Sequence, residues 1–189
     1  MRRLVEAIRR EGKALGEKIL RVDSFLNHLV DVELADEMGR ALAELFRDLS
    51  PQKVLTAESS GIVPALFVAR HLGVKMLFAR RKPGGEGYLS RRVPSPTRGV
   101  EAELCVRREY LGEGERVLIV DDFLAEGLTA LALASMVEEA GGRVCGMGFC
   151  VEKSFQGGRE RLSGYRVVSL AVVDSLDPLA VRSGLEEVV

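Results

Sequence analysis

The segment from Val117 to Thr129, which reads VLIVDDFLAEGLT, constrains the fold more than any other part of the sequence. It opens with four apolar residues in a row, a pattern typical of a strand buried on both faces of a parallel sheet. Two carboxylates, Asp121 and Asp122, follow where this strand is expected to end. A loop containing a glycine then leads to Thr129, where a helix is expected to begin. The segment therefore predicts the strand, loop and helix of an α/β fold.

The same segment is suited to binding a sugar phosphate. Carboxylates at the end of a strand accept hydrogen bonds from a diol, and the free N–H groups at a helix N-terminus favour a phosphate. A ribose 5-phosphate satisfies both. Paired aspartates also occur in magnesium-binding signalling receivers, but those proteins normally place the pair after their first strand. P-loop proteins require the pattern G-x-x-x-x-G-K-[ST], which this sequence lacks.

The rest of the chain alternates between helix and strand patterns. Apolar residues recur at helical spacing from Asp31 to Leu49, and Asp31 is placed to cap that helix. A second helical pattern, Ile62 to Leu72, follows the loop ESSG and is ended by Gly73. Further strands are predicted at Lys53 to Ala57, Val74 to Ala79, Glu101 to Arg107, Arg143 to Val151 and Val167 to Val173, with a helix at Thr129 to Ala140. This order predicts a mostly parallel sheet flanked by helices, with ligands at the carboxyl ends of its strands.

The stretch from Arg80 to Gly99 is predicted to be an irregular, mobile loop. It contains four glycines and three prolines and shows no apolar period. Such a loop is able to close over a reactive sugar as a lid that excludes water. Its first residues, Arg80, Arg81 and Lys82, follow a strand end, where they are placed to neutralise an anion, although a run of charges more commonly forms a solvated face.

Composition narrows the possible functions. The chain has 189 residues, which suits one domain, and its charged residues nearly cancel to a net charge of −1. No global basic field is therefore expected to attract nucleic acid or an anionic membrane. The apolar runs are short and the N-terminal residues are charged, so we expect neither a signal peptide nor a membrane span, and a cytoplasmic location. Its three cysteines lack C-x-x-C spacing and are expected to be buried thiols.

Val117 to Thr129 resembles the 13-residue signature of the type I phosphoribosyltransferases. Other motifs lie around it in an order and at a spacing similar to those of one branch, the xanthine phosphoribosyltransferases. These are Leu20, VDSFLNH at Val22 to His28, ESSGI at Glu58 to Ile62, FAR at Phe78 to Arg80, DDFLA at Asp121 to Ala125, and EKSFQ with GR within Glu152 to Arg159. The short signature alone would identify only the superfamily. The additional matches along the chain narrow the resemblance to this branch.

The resemblance implies a single phosphoribosyltransferase domain over 1–189, with a small N-terminal hood within 1–50 and a type I phosphoribosyltransferase-like fold. It implies transfer of a phosphoribosyl group from phosphoribosyl diphosphate (PRPP) to xanthine. In similar enzymes Asp121 and Asp122 hold the ribose hydroxyls. The other implied contacts are Ala125, Glu126, Gly127, Leu128 and Thr129 with the 5-phosphate, Glu58, Ser59, Ser60, Gly61 and Arg80 with pyrophosphate, and Leu20, Asn27 and Lys153 with xanthine. Mg2+ is expected to arrive with PRPP without a dedicated protein site, and a homodimer is expected.

The implied base contacts agree with hydrogen-bonding chemistry. Lys153 presents only donors, which suits an oxo group at purine C6 and disfavours the amino group of adenine. The Asn27 side chain both donates and accepts hydrogen bonds. It is therefore able to bind the C2 oxo group, which xanthine has and hypoxanthine lacks. Without the resemblance, a turn-capping role for Asn27 is preferred. Guanine or hypoxanthine as the substrate remains an alternative.

The expected phosphate loop departs from the family pattern at Glu126 and Leu128, where small or polar residues are usual. A carboxylate about 4 Å from a phosphate dianion costs roughly 2 kcal/mol in bulk water and several times more at the lower effective dielectric near a protein. The helix dipole stabilises the phosphate by only about 1 kcal/mol, which does not offset this repulsion. Two interpretations stay open. Either Glu126 points to solvent while its backbone binds the phosphate, or the loop does not hold a phosphate in the usual way, as in a non-catalytic regulator that senses PRPP.

Overall fold

The computed structural model describes residues 1–94 and 101–185. Its helices are α1 (Arg2–Glu11), α2 (Val32–Phe46), α3 (Ile62–Leu72), α4 (Leu128–Glu139) and α5 (Gly158–Arg161). Its strands are β1 (Lys13–Leu15), β2 (Ile19–Arg21), β3 (Lys53–Ala57), β4 (Lys75–Arg81), β5 (Tyr88–Pro94), β6 (Glu101–Arg107), β7 (Arg116–Leu124), β8 (Arg143–Lys153), β9 (Val167–Leu176) and β10 (Leu179–Ser183). Short 3-10 turns follow α2, β6 and β8.

The main sheet has the strand order β10-β9-β8-β7-β3-β4-β6-β5. Its five middle strands, from β9 to β4, pair in parallel, whereas β10 at one edge and β6 with β5 at the other pair antiparallel. The predicted α/β class with a mostly parallel sheet is therefore confirmed. Because β3, β7 and β8 are neighbours running in the same direction, their carboxyl ends open at one edge of the sheet.

Helices cover both faces of this sheet, as the apolar patterns predict. On one face α2 buries Leu34, Met38 and Leu42 in a core that also contains residues of α1 and α3. On the other face α4 packs against β7 and β3. The predicted cap is present, since Asp31 Oδ1 accepts from the N–H of Leu34 at 3.0 Å. Gly73 ends α3 in the left-handed conformation, with φ of 70°.

The predicted loop from Arg80 to Gly99 is wrong over much of its length. Arg80 and Arg81 complete β4, and Tyr88–Pro94 forms β5, which pairs with β6 over seven residues. The strand was missed because its inward positions include Arg91 between the buried Leu89 and Val93, so a charge interrupts the apolar alternation. Residues 95–99 of the expected lid lie outside the described residues.

The acidic pair also lies differently from the prediction. The strand β7 does not end at Val120 but continues through Asp121 and Asp122 to Leu124. Its neighbour β8 runs alongside for this whole length, with Asp121 opposite Phe149 and Leu124 opposite Glu152. Backbone pairing with β8 therefore fixes the direction of both carboxylates more firmly than a loop would.

The N-terminal region contains elements that the sequence analysis did not predict. Helix α1 packs against β9 and β10, and β1 and β2 form a two-stranded hairpin. Leu20 is buried at the centre of this hairpin, between exposed neighbours on β2. In the described parts of the chain, none of the helices combines the length and apolar character needed to cross a membrane.

Candidate active site

Asp122 connects three separate parts of the chain at the carboxyl edge of the sheet. Its Oδ1 accepts a hydrogen bond from Ser60 Oγ at 3.0 Å, in the loop after β3. Its Oδ2 accepts from Asn27 Nδ2 at 3.2 Å, in the turn region that follows the N-terminal hairpin. Asn27 and Asp122 are 95 residues apart in sequence. The structure thus brings together three residues that the resemblance placed in separate subsites.

Asp121 lies beside Asp122 and is partly buried. Its Oδ1 accepts from the backbone N–H of Asp122 at 2.9 Å. Burial, together with the neighbouring carboxylate of Asp122, raises the pKa of Asp121 well above its usual range, while the charge of Arg81 opposes this. Two carboxylates held this close form an anionic site that favours a cation or hydroxyl donors in front of it.

Gly61 allows the loop after β3 to lie directly against Asp121. A Cβ atom added at Gly61 would be 2.3 Å from Asp121 Oδ1 and 2.1 Å from Thr56 Oγ1. Either distance is far below a van der Waals contact. Thr56 is fully buried, and its hydroxyl has no hydrogen-bond partner in the part of the chain that is described. A glycine is therefore required at position 61 for this packing.

Glu58 joins the same loop to the end of β4. Its Oε1 accepts from the backbone N–H of Arg81 at 2.5 Å, and its carbonyl oxygen accepts from Arg81 Nε at 2.8 Å. The predicted contact residue, Arg80, is more loosely placed: its Nε lies 3.9 Å from Glu58 Oε2, and 58% of its side chain is exposed. Both guanidinium groups border the loop formed by Glu58 to Gly61 and give this end of the site a positive charge.

Gly127 opens α4 in the left-handed conformation, with φ of 79°. The first N–H groups of α4, at Leu128 and Thr129, are not paired within the helix and form a donor surface for an anion. The side chain of Glu126 is exposed. Its backbone carbonyl accepts a hydrogen bond from Arg161 Nη1 on α5. The loop from Ala125 to Thr129 therefore leads into a helix N-terminus whose free N–H groups favour an anion.

Lys153, the last residue of β8, lies under the N-terminal hairpin. Its Nζ donates to the carbonyl oxygen of Lys18 at 2.9 Å and lies 5.5 Å from the centre of the Phe123 ring. Burial lowers the pKa of Lys153, and the carboxylates of Asp122 and Glu126 oppose this effect. An ammonium held by the Lys18 carbonyl and the Phe123 ring keeps further N–H donors for a neutral heterocycle.

Three residues at this site were not predicted from the sequence to contact a ligand, or were predicted less specifically than their neighbours. Arg81 was part of the basic run, but its neighbour Arg80 was preferred on the basis of the FAR motif. Phe123 lies within the quoted DDFLA motif, which was the available signal. No local sequence pattern indicates a role for Arg161, because its contact partner Glu126 lies 35 residues away in the sequence.

The acidic pair differs from a protein metal cage. Over residues 1–94 and 101–185, no group of three or more histidine, cysteine, aspartate or glutamate side chains is arranged to hold a metal ion. Two adjacent carboxylates still fit a divalent cation whose remaining ligands come from a bound substrate and water. This chemistry matches a magnesium ion carried by a polyphosphate.

Comparison with known proteins identifies related sequences and folds. Residues 29–173 match the family described as the phosphoribosyl transferase domain. A xanthine phosphoribosyltransferase of Shouchella clausii is 46% identical over 94% of this chain and 91% of the relative. A second, from Pseudomonas savastanoi, is 44% identical over 93% of this chain and 96% of the relative. The crystal structure of an adenine phosphoribosyltransferase from Rhodothermus marinus superposes with a TM-score of 0.72 at 27% identity, covering 89% of this chain and 98% of that chain.

Proposed function

This chain belongs to the phosphoribosyl transferase family, and we propose that it transfers the phosphoribosyl group of PRPP to xanthine, forming xanthosine 5-monophosphate (XMP) and pyrophosphate. The observation that carries this proposal is similarity to xanthine phosphoribosyltransferases over 93–94% of this chain. One edge of the sheet brings together residues that the resemblance assigned to ribose, base and pyrophosphate. These are Asp122, Asn27, Ser60 and Lys153. The enzyme is a pentosyltransferase.

In the proposed complex, Asp121 and Asp122 accept hydrogen bonds from the two ribose hydroxyls. The 5-phosphate lies against the backbone from Ala125 to Thr129, where the α4 dipole stabilises its charge by about 1 kcal/mol. Glu126 is assigned a backbone contact, and because its side chain is exposed, solvent screens its charge. This screening reduces the conflict between a carboxylate and a phosphate.

Pyrophosphate is assigned to the loop from Glu58 to Gly61. The positive charges of Arg80 and Arg81 lie beside that loop and stabilise the leaving group as its charge develops. Asp121 and Asp122 are the carboxylates that would hold a Mg2+ ion arriving with PRPP, and such an ion would supply further charge neutralisation for the pyrophosphate.

The chemical step forms a bond between a purine nitrogen and C1 of the ribose as the bond from C1 to pyrophosphate breaks; pyrophosphate leaves with the electron pair, and the proton of the purine nitrogen passes to pyrophosphate or water. Positive charge develops on the ribose ring in an oxocarbenium-like transition state. The protein supplies orientation and electrostatic stabilisation, and none of its side chains is required as a nucleophile. The anionic pair beside the ribose favours this positive charge.

The base is recognised from two sides. Lys153 has three ammonium donors and gives one to the carbonyl of Lys18, so two remain for a purine C6 oxo group. Asn27 donates to Asp122 and keeps its own carbonyl oxygen and a second N–H for the base. The buried Leu20 on β2 supports the hairpin above this pocket. An adenine amino group would face a lysine that has no acceptor.

Three further expectations accompany this proposal. We expect the chain to act as a single phosphoribosyltransferase domain and to form a homodimer, as the family resemblance implies. A cytoplasmic location is the third expectation. Sedimentation analysis of the purified protein tests the dimer.

A direct assay tests the substrate. The purified chain is mixed with Mg2+ and PRPP and with xanthine, guanine, hypoxanthine or adenine, and nucleotide formation is followed for each base. We expect the highest kcat/KM with xanthine and none measurable with adenine. Product from guanine or hypoxanthine but none from xanthine would replace the proposed base with the alternative one. No product from any base would overturn the proposed activity.

A further inference from the structure

The segment from Gly157 to Arg161 packs directly behind the proposed phosphate loop. A Cβ atom added at Gly158 would be 2.2 Å from the carbonyl oxygen of Ala125, and one added at Gly127 would be 3.4 Å from the Cα of Gly158. The two backbones are therefore in contact, with no side chain between them. We call Gly157 to Arg161 the brace.

Arg161 adds a directional contact between the brace and the loop. Its Nη1 donates to the carbonyl oxygen of Glu126. The peptide unit that joins Glu126 to Gly127 is planar and trans, so its N–H points in the opposite direction to its carbonyl. Fixing the Glu126 carbonyl on the brace therefore fixes the N–H of Gly127 on the opposite side, facing away from the brace.

The brace is itself anchored to the sheet. Arg159 Nε donates to both carboxylate oxygens of Glu152, at 2.9 and 3.1 Å, and Ser169 Oγ donates to Glu152 Oε2 at 2.7 Å. The Glu152 side chain is only 4% exposed, so solvent screens this pair weakly. Glu152 directly precedes Lys153 on β8. The contacts of Glu152 therefore support both the brace and Lys153, the lysine that is proposed to bind the base.

We propose that Arg161 is a positioning residue for the 5-phosphate of PRPP. By holding the Glu126 carbonyl, it turns the N–H of Gly127 toward the phosphate and keeps the loop in a form that binds through its backbone. This explains how the loop binds a phosphate although it carries a glutamate. The inference rests on the proposed function and adds a residue outside the phosphate loop to the binding of that substrate.

The test compares Arg161→Met with Arg161→Lys and with a control, Arg40→Met. Arg40 is exposed on α2 and pairs with Asp36 one helical turn away, so it matches the chemistry of the change at a distance from the site. Binding of ribose 5-phosphate and of magnesium pyrophosphate is measured by calorimetry, and steady-state kinetics give the KM for PRPP.

For Arg161→Met we expect ribose 5-phosphate affinity to fall about tenfold, because the Gly127 N–H is no longer held toward the phosphate and one hydrogen bond to a charged ligand is lost. The KM for PRPP should rise by a similar factor, while pyrophosphate binding and the KM for xanthine stay within about twofold of wild type. Arg161→Lys keeps a donor and should recover most of the affinity. Arg40→Met should match wild type throughout.

Wild-type affinity for ribose 5-phosphate in Arg161→Met would overturn the inference. A loss of pyrophosphate affinity as large as the loss of ribose 5-phosphate affinity would also overturn it, because it would indicate general damage to the site. Arg161→Ala is prepared in parallel, and the same criteria apply to it if the methionine variant does not fold. A wild-type protein that binds ribose 5-phosphate but forms no XMP would contradict the proposed function and leave the role of Arg161 to be decided by binding.

Discussion

At the scale of single residues, Gly61 is the most tightly constrained position in the site. A methyl group there would meet both Thr56 Oγ1 and Asp121 Oδ1. We expect Gly61→Ala to displace the Asp121 carboxylate and to lower kcat/KM about 100-fold, since small displacements of positioned groups have effects of this size. Gly164→Ala is the matched control, because nothing lies within 4 Å of a Cβ at Gly164. Near wild-type kinetics for Gly61→Ala would contradict this packing.

Asp121 gives a prediction about stability and pH. Its pKa is raised in the folded protein by burial and by Asp122, so the folded state binds more protons than the unfolded state above the usual aspartate range. The wild type therefore loses stability as pH rises through the folded pKa of Asp121. Asp121→Asn lacks this charge, and it should melt at a higher temperature than wild type, by more at pH 8 than at pH 5.

Each kcal/mol gained in this way raises the melting temperature by about 2–4 °C in a chain of this size. Scanning calorimetry at the two pH values provides the measurement. The same variant should lose its transferase activity, because an amide is a poorer partner for two ribose hydroxyls and for Mg2+. A lower melting temperature for Asp121→Asn at pH 8 would show that the ionised carboxylate is stabilising in the folded protein.

At the scale of elements, β5 depends on one charged side chain that faces inward. Arg91 Nε donates to Ser135 Oγ at 2.8 Å, and its Nη2 pairs with Glu139, both on α4. We expect Arg91→Ala to reduce stability by about 1 kcal/mol and to speed amide hydrogen exchange in Tyr88–Pro94 more than in β7. Arg92→Ala, on the exposed face of the strand, should change neither. Equal exchange in both variants would contradict this role.

The same strand shows where pattern reading fails. Long elements with a regular apolar period, such as α2 and α3, were predicted within a few residues. The edge strand β5 was missed because Arg91 breaks the alternation, and β1 and β2 were missed because three-residue strands are too short to show a period. Helix α1 does carry a helical apolar pattern in Leu4, Val5 and Ile8, so this helix is predictable from the sequence.

At the scale of the whole molecule, the parallel sheet explains why a site could be expected before its contacts were known. Parallel strands that are neighbours must end at the same edge, so residues after β3, β7 and β8 were expected to meet. The contact from Asn27 to Asp122 and the brace behind Glu126 could not be predicted in this way. Both join distant parts of the chain through single side chains, and no local pattern specifies such pairs.

The most direct test of the proposed site is a crystal structure of this protein with XMP bound. We expect phosphate oxygens within about 3 Å of the N–H groups from Gly127 to Thr129, the distance of a hydrogen bond. The ribose hydroxyls should lie on Asp121 and Asp122, and the C6 oxo group of the base on Lys153 Nζ. A nucleotide bound with its phosphate away from this loop, or with its base away from Lys153, would contradict the proposed site.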